Sequence, residues 1–212
     1  MQTLNIATGT HGRVLVRDVA TPRGLLVGFH GYAENAEIQM QRLESVTGTE
    51  HWTLVSVQGL NRFYRSRSEE VVASWMTRQD REVAIEDNVD YINHVVAATR
   101  TSDEPVVFAG FSQGVAMAFR AGVRGKAAAA GVIAVGGDVP PELLADRSLR
   151  FPPVLLVRGE RDDWYTDAKL SADVAALQDL SVAVETVTFD GGHEWTAEVS
   201  AAAARILHNW QP

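Results

Sequence analysis

The sequence predicts an α/β fold in which a mostly parallel sheet carries helices on both faces. Two observations lead there. Short apolar runs of strand length alternate with longer stretches of helical periodicity along nearly the whole chain. At one joint, Gly110-Phe111-Ser112-Gln113-Gly114, a strand-like run must turn sharply into a helix-like one. A length of 212 residues suffices for one domain with a full core and is short for two. No repeat, linker or shift in composition divides the chain, so one domain over 1–212 is expected.

Taken in order, Val14–Val19 alternates apolar and polar residues and reads as a half-exposed strand near a sheet edge. The turn Thr21-Pro22-Arg23-Gly24 leads into Leu25–Phe29, a continuous apolar run of a central strand. Ile38, Met40, Leu43 and Val46 are spaced for a modest amphipathic helix over Ala36–Val46, closed by Gly48. Thr53–Val57 is the next strand. From Gly59 to Trp75 periodicity is lost, so a long loop carrying Arg62, Arg65 and Arg67 is expected. Such a loop either attracts an anionic group or is simply solvated. A long helix spans Asp80–Thr99, and Val106–Ala109 is a buried strand entered through Pro105. The helix after Ser112 is expected to end near Gly122. The alanine run Ala127–Ala130 reads as a helix end or connector. Strands follow at Gly131–Val135 and Pro153–Val157, then a helix over Asp163–Leu180, a strand over Val182–Phe189 and a closing helix over Glu194–Trp210.

A formal charge of -8 argues against a nucleic-acid-binding surface. The absence of cysteine excludes disulfides and thiolate metal sites and agrees with a reducing compartment. Met1-Gln2-Thr3-Leu4-Asn5 lacks a basic region followed by an apolar stretch, and no later run approaches membrane-spanning length. A cytoplasmic protein is therefore expected, with a homodimer left open.

At the joint, glycines 110 and 114 lack the Cβ atoms that would keep helix and strand apart, so Ser112 can stand exposed at the tip of a strained turn. A serine hydroxyl needs a base to become a nucleophile, and the base needs an orienting acid. Of six histidines, His193 in Gly191-Gly192-His193 follows the last strand and precedes the last helix, whereas His208 lies near a helix end. After the strand ending at Arg158 come Glu160, Asp162 and Asp163. Asp162 is favoured, Asp163 is the alternative that could instead cap the next helix, and Glu160 ranks below both.

Ser112, Asp162 and His193 stand in the chain order of the α/β-hydrolases. With His30-Gly31, Gly110-Phe111-Ser112-Gln113-Gly114, Gly159 before Asp162, and Gly191-Gly192-His193-Glu194-Trp195, the chain resembles their carboxylesterase/lysophospholipase (acyl-protein thioesterase-like) branch from about Leu25 onward. The resemblance implies an α/β-hydrolase fold and an oxyanion hole made by the backbone N–H groups of Tyr32 and Gln113. His30 then serves as a structural hydrogen-bonding residue. It also implies a small-molecule ester substrate, with thioesters or lysophospholipids as alternatives, and no metal or cofactor. A non-catalytic ligand receptor on the same fold is the rival. The chain departs from the pattern at Ala33, Glu34, Arg158 and Trp164. Only Gly136–Pro152 separates two strands where a lid is often inserted, so no cap domain and an open mouth are expected, favouring short to medium acyl or aryl esters over long chains. Trp75, Trp164 and Trp195 are candidates for the wall of the acyl pocket.

Overall fold

The structure, a computed structural model, describes residues 1–210. Strands β1 (Arg13–Arg17), β2 (Gly24–Phe29), β3 (Trp52–Gln58), β6 (Val106–Phe111), β7 (Ala129–Val135), β8 (Val154–Gly159) and β9 (Val184–Phe189) form a seven-stranded sheet. Its order is β1-β3-β2-β6-β7-β8-β9, and only β1 runs antiparallel to its neighbour. All six residues of β2, β6 and β8 are buried, as strands covered on both faces require.

Alternation along β6 divides the core in two. Val106 and Phe108 face the side covered by α2 (Arg81–Thr99), α3 (Gln113–Arg124) and α5 (Asp167–Asp179). Val107, Ala109 and Phe111 face the side covered by α1 (Ala36–Glu44) and α6 (Ala197–Asn209). Because every parallel strand points the same way, their carboxyl ends deliver His30, Ser112, Gly136, Glu160 and Asp190 to one edge.

Four local expectations need correction. The stretch from Gly59 to Trp75 is a hairpin, β4 (Asn61–Tyr64) with β5 (Val71–Ser74), whose pairing the mixed, exposed side chains of β4 do not announce. The alanine run is divided, since Ala129 and Ala130 already belong to β7. Ladder bonds to β6 override alanine's helical preference there. Helix α3 runs past Gly122 to Arg124, and α5 starts at Asp167 because residues 162–165 are held in a separate turn.

Between β7 and β8 stands only α4 (Pro141–Leu144), a single turn, so no cap domain is present among the described residues. Among these residues, no helix is long and apolar enough to cross a membrane.

The tightest constraint lies where α3 starts. A Cβ on Gly114 would sit 2.1 Å from the carbonyl oxygen of Phe29, and one on Gly110 would sit 2.4 Å from that of Gly114. Both obstacles are backbone and cannot swing away. Gly114→Ala is therefore expected to destabilise the fold by about 3 kcal/mol, read as a lowered urea midpoint. An unchanged midpoint would show that β2 and α3 separate at little cost.

Candidate active site

Ser112 has φ 52° and ψ -119°, outside the favoured regions for a residue with a side chain. It is the N-cap of α3 without a capping side-chain bond, so its hydroxyl is not spent on the helix. The turn is held by backbone bonds from Ser112 N–H to Val135 O (2.9 Å) and from Val115 N–H to Ser112 O (3.0 Å).

The hydroxyl meets His193. Asp162 Oδ2 lies 2.8 Å from His193 Nδ1, and His193 Nε2 lies 2.9 Å from Ser112 Oγ. An ionised carboxylate only accepts, so the proton sits on Nδ1 of the neutral ring. Nε2 is then left to accept from the serine O–H. Asp162 is 4 % exposed, and its other oxygen accepts the backbone N–H groups of Trp164 (2.8 Å) and Tyr165 (2.9 Å). Asp163 and Glu160 are exposed and make no bond to His193, so of the three acids only Asp162 is hydrogen-bonded to the imidazole. The imidazole packs against Phe111, with ring centres 5.0 Å apart.

The loops carrying the acid and the imidazole extend the β8–β9 pairing. Glu160 N–H donates to Phe189 O (2.9 Å) and Arg161 N–H to Gly191 O (2.8 Å). Arg158 braces the acid turn from beneath, through Nε to Tyr165 O (3.0 Å) and Nη2 to Glu160 O (2.9 Å). The departure at position 158 marks this residue in the sequence, but its partners become visible only in the fold.

The backbone N–H groups of Tyr32 and Gln113 donate to no protein acceptor among the described residues. The loop bearing Tyr32 is fixed from several sides. His30 is fully buried and donates from Nδ1 to Gly31 O (2.6 Å), while its Nε2 accepts Gly59 N–H (3.0 Å). Both ring nitrogens are thereby occupied in the neutral form, which burial favours by pushing the pKa down. Glu34 accepts Gly31 N–H (2.7 Å) and binds both terminal nitrogens of Arg42 (2.6 and 2.7 Å). Arg42 in turn lies 4.0 Å over the Phe111 ring. The hairpin joins in: Ala33 N–H donates to Ala73 O (3.1 Å), Ala73 N–H to Glu34 O (2.8 Å) and Arg65 Nη2 to Ala33 O (2.7 Å). Arg62 donates to His11 O, and Arg65 also pairs with Glu70. Arg62, Arg65 and Arg67 do not line the cleft beside Ser112.

That cleft has a volume of about 770 Å³, with Ser112 and Gln113 in its wall. The three tryptophans part company here. Trp164, 75 % exposed, lines the cleft. Trp75 does not: it is wholly buried, stacks edge-on against Phe29 at 5.5 Å and donates Nε1–H to His30 O (2.8 Å). Its expected place in the pocket wall is replaced by a place in the core, behind the Tyr32 loop. Trp195 does not line the cleft either. It donates to Ser200 Oγ (3.0 Å) and borders a separate surface pocket with Ser45 and Thr47, because the chain after His193 turns away toward α6.

A sheet of this order with such an elbow defines an α/β-hydrolase. The chain belongs to the phospholipase/carboxylesterase family, whose model matches residues 13–210. No curated protein matches the chain significantly. Among solved structures, it is similar to esterase PE8 (21 % identity, TM-score 0.76, covering 93 % of this chain and 97 % of that one). It is also similar to the Bacillus cereus carboxylesterase (17 %, 0.70, 94 % and 94 %) and to Zea mays acyl-protein thioesterase 2 (18 %, 0.72, 95 % and 100 %). At these identities the likeness is one of fold.

Glu34 was legible as a departure, not as a brace. Desolvation alone would raise its pKa, but hydrogen bonds and charge from Arg42, with the Gly31 N–H, outweigh it and hold the carboxyl below its ordinary value. A carboxylate so lowered stabilises the fold above the unperturbed value of 4.5 and loses that contribution as pH falls through the lower folded-state value. Glu34→Gln is expected to cost about 2 kcal/mol at neutral pH. In denaturation curves recorded across pH, the gap to wild type should close progressively below 4.5; a gap independent of pH would rule out the ionic brace.

Proposed function

We propose that the protein is a metal-independent serine hydrolase that cleaves carboxylic esters with short to medium acyl or aryl groups through an acyl-enzyme. The observation that carries this is the hydrogen-bonded chain from Asp162 through His193 to Ser112, ending at a hydroxyl on a strained elbow. Membership of a phospholipase/carboxylesterase family supports it.

In this mechanism His193 Nε2 takes the Ser112 proton while Oγ bonds to the acyl carbon. The carbonyl electron pair moves onto oxygen, where the unspent N–H groups of Tyr32 and Gln113 receive it. Each such donor stabilises the transition state by a few kcal/mol, about 3 in favourable cases. Asp162 holds the ring in the accepting tautomer and offsets the positive charge it acquires. The tetrahedral adduct collapses, the C–O bond to the leaving group breaks, and His193 returns its proton to the departing alcohol. Water then repeats the sequence, giving its proton to His193, and hydrolysis of the Ser112 ester releases the acid. A thioester would follow the same course with a thiol leaving. The fold likeness to Zea mays acyl-protein thioesterase 2 makes that the second reading.

Ser112→Ala is expected to reduce turnover of 4-nitrophenyl butyrate by about 1,000-fold or more. A fluorophosphonate probe should label wild type at Ser112 and leave the variant unmarked. The rate should fall on the acidic side, where a protonated imidazole can no longer accept. Full turnover in Ser112→Ala would reject the mechanism. Tight binding of a small ester without product release would favour a receptor instead.

A further inference from the structure

We propose that the cleft beside Ser112 takes an acyl chain ending in a carboxylate, held by Arg78 and Arg81, so that half-esters of dicarboxylic acids are the preferred substrates. This rests on the ester-hydrolase reading of Ser112 given above. In a chain of formal charge -8, the cleft wall carries four cations, Arg78, Arg81, Arg120 and Lys169, against two acids, Asp138 and Asp173.

Two of the cations are already matched. Arg120 is fully buried and donates twice to Glu142 Oε1 (2.8 and 2.6 Å), and Lys169 pairs with Asp138 at 3.1 Å. Asp173 Oδ2 is engaged by Tyr165 O–H (3.0 Å) and Val139 N–H (3.1 Å). Burial pushes the Asp173 carboxyl up, so it is a weak counter-charge. Arg81 reaches only Glu142 Oε2, at 3.8 Å, on a carboxylate already committed to Arg120. Arg78 makes no hydrogen bond or ion pair among the described residues. The neighbouring Asp80 is turned to Asn5 and Gln79 instead. Two guanidinium groups thus face the cleft without a full counter-charge.

Their position follows from the nucleophile's neighbour. Gln113 accepts Trp75 N–H through Oε1 (3.0 Å) and donates through Nε2 to Met76 O (3.1 Å). The segment leading to Arg78 is therefore strapped to the residue after Ser112, and Arg81 opens α2 three residues later. The leaving alcohol must lie at His193 Nε2, which is not part of the cleft wall, whereas Ser112, Gln113 and Met76 are. The acyl part then enters the cleft, its methylenes against Met76, Ala116 and Leu144, and its far end meets the arginines. A guanidinium matches a carboxylate with two parallel hydrogen bonds, which a neutral chain end cannot supply.

The test compares 4-nitrophenyl hydrogen glutarate with its methyl ester, equal in reacting group and chain length. At low ionic strength kcat/KM should favour the acid by about tenfold, and about 0.5 M NaCl should erode that preference because both arginines are exposed. In the double variant R78Q/R81Q the preference should fall by about fivefold or more, mainly through KM, while R78K/R81K should keep only part of it, the charge without the paired hydrogen bonds. Equal kcat/KM for the two esters in wild type, or a preference that survives R78Q/R81Q, would overturn the inference while ester hydrolysis stands. Absence of turnover on both esters would overturn the hydrolase reading and this inference with it.

Discussion

Ser112 occupies a backbone conformation that an isolated residue avoids at a cost of about 1–3 kcal/mol, and the packing of β2, β6 and α3 gives it nowhere else to go. Gly114 brings α3 against the Phe29 carbonyl, Gly110 lets the helix start directly over the strand, and Ser112 N–H is tied to Val135. Hydrophobic burial along both faces of β6 holds these elements together and so sustains the strain. The hydroxyl is aimed as a consequence of core packing, without any bond of its own to the helix.

Around that fixed point, the site is assembled from segments distant in sequence, each anchored by backbone bonds. The acid turn and the imidazole loop are tied together as a continuation of β8 and β9. The loop bearing Tyr32 is held by His30, Trp75, Glu34 and the β4–β5 hairpin, and its Tyr32 N–H, like that of Gln113, has no protein acceptor among the described residues.

Much of this was legible in the residues. The succession of strands and helices and the elbow follow from apolar runs and glycine placement, which are local signals, and Ser112, Asp162 and His193 were picked out by their places after strand ends. Asp162 is favoured over Asp163 in the sequence, but that it alone bonds to His193 is visible only in the fold, because adjacent residues on a turn differ only in which way they point. The hairpin carries no sequence signal, since β4 is exposed and lacks alternation, while β5 also bridges to Glu34 through Ala73. Trp75 and Trp195 stand elsewhere than their sequence positions suggest, for a related reason. Proximity in sequence to a strand end does not say which face of the sheet a large side chain will meet, and both found partners elsewhere. Arg78 and Arg81 carry no sequence signal, as their isolation from counter-charges is a property of the folded surface.

The single turn of α4 stands where a roof might be built. Closing a loop twice as long adds only about 0.6 kcal/mol of chain entropy, and both ends of this connection are already pinned by β7 and β8. Extra residues there could enclose the cleft with almost no disturbance to the reacting groups. In this architecture, how deep a guest is swallowed and how it is cut are thus separately adjustable properties, one belonging to a surface insertion and the other to the interior of the sheet.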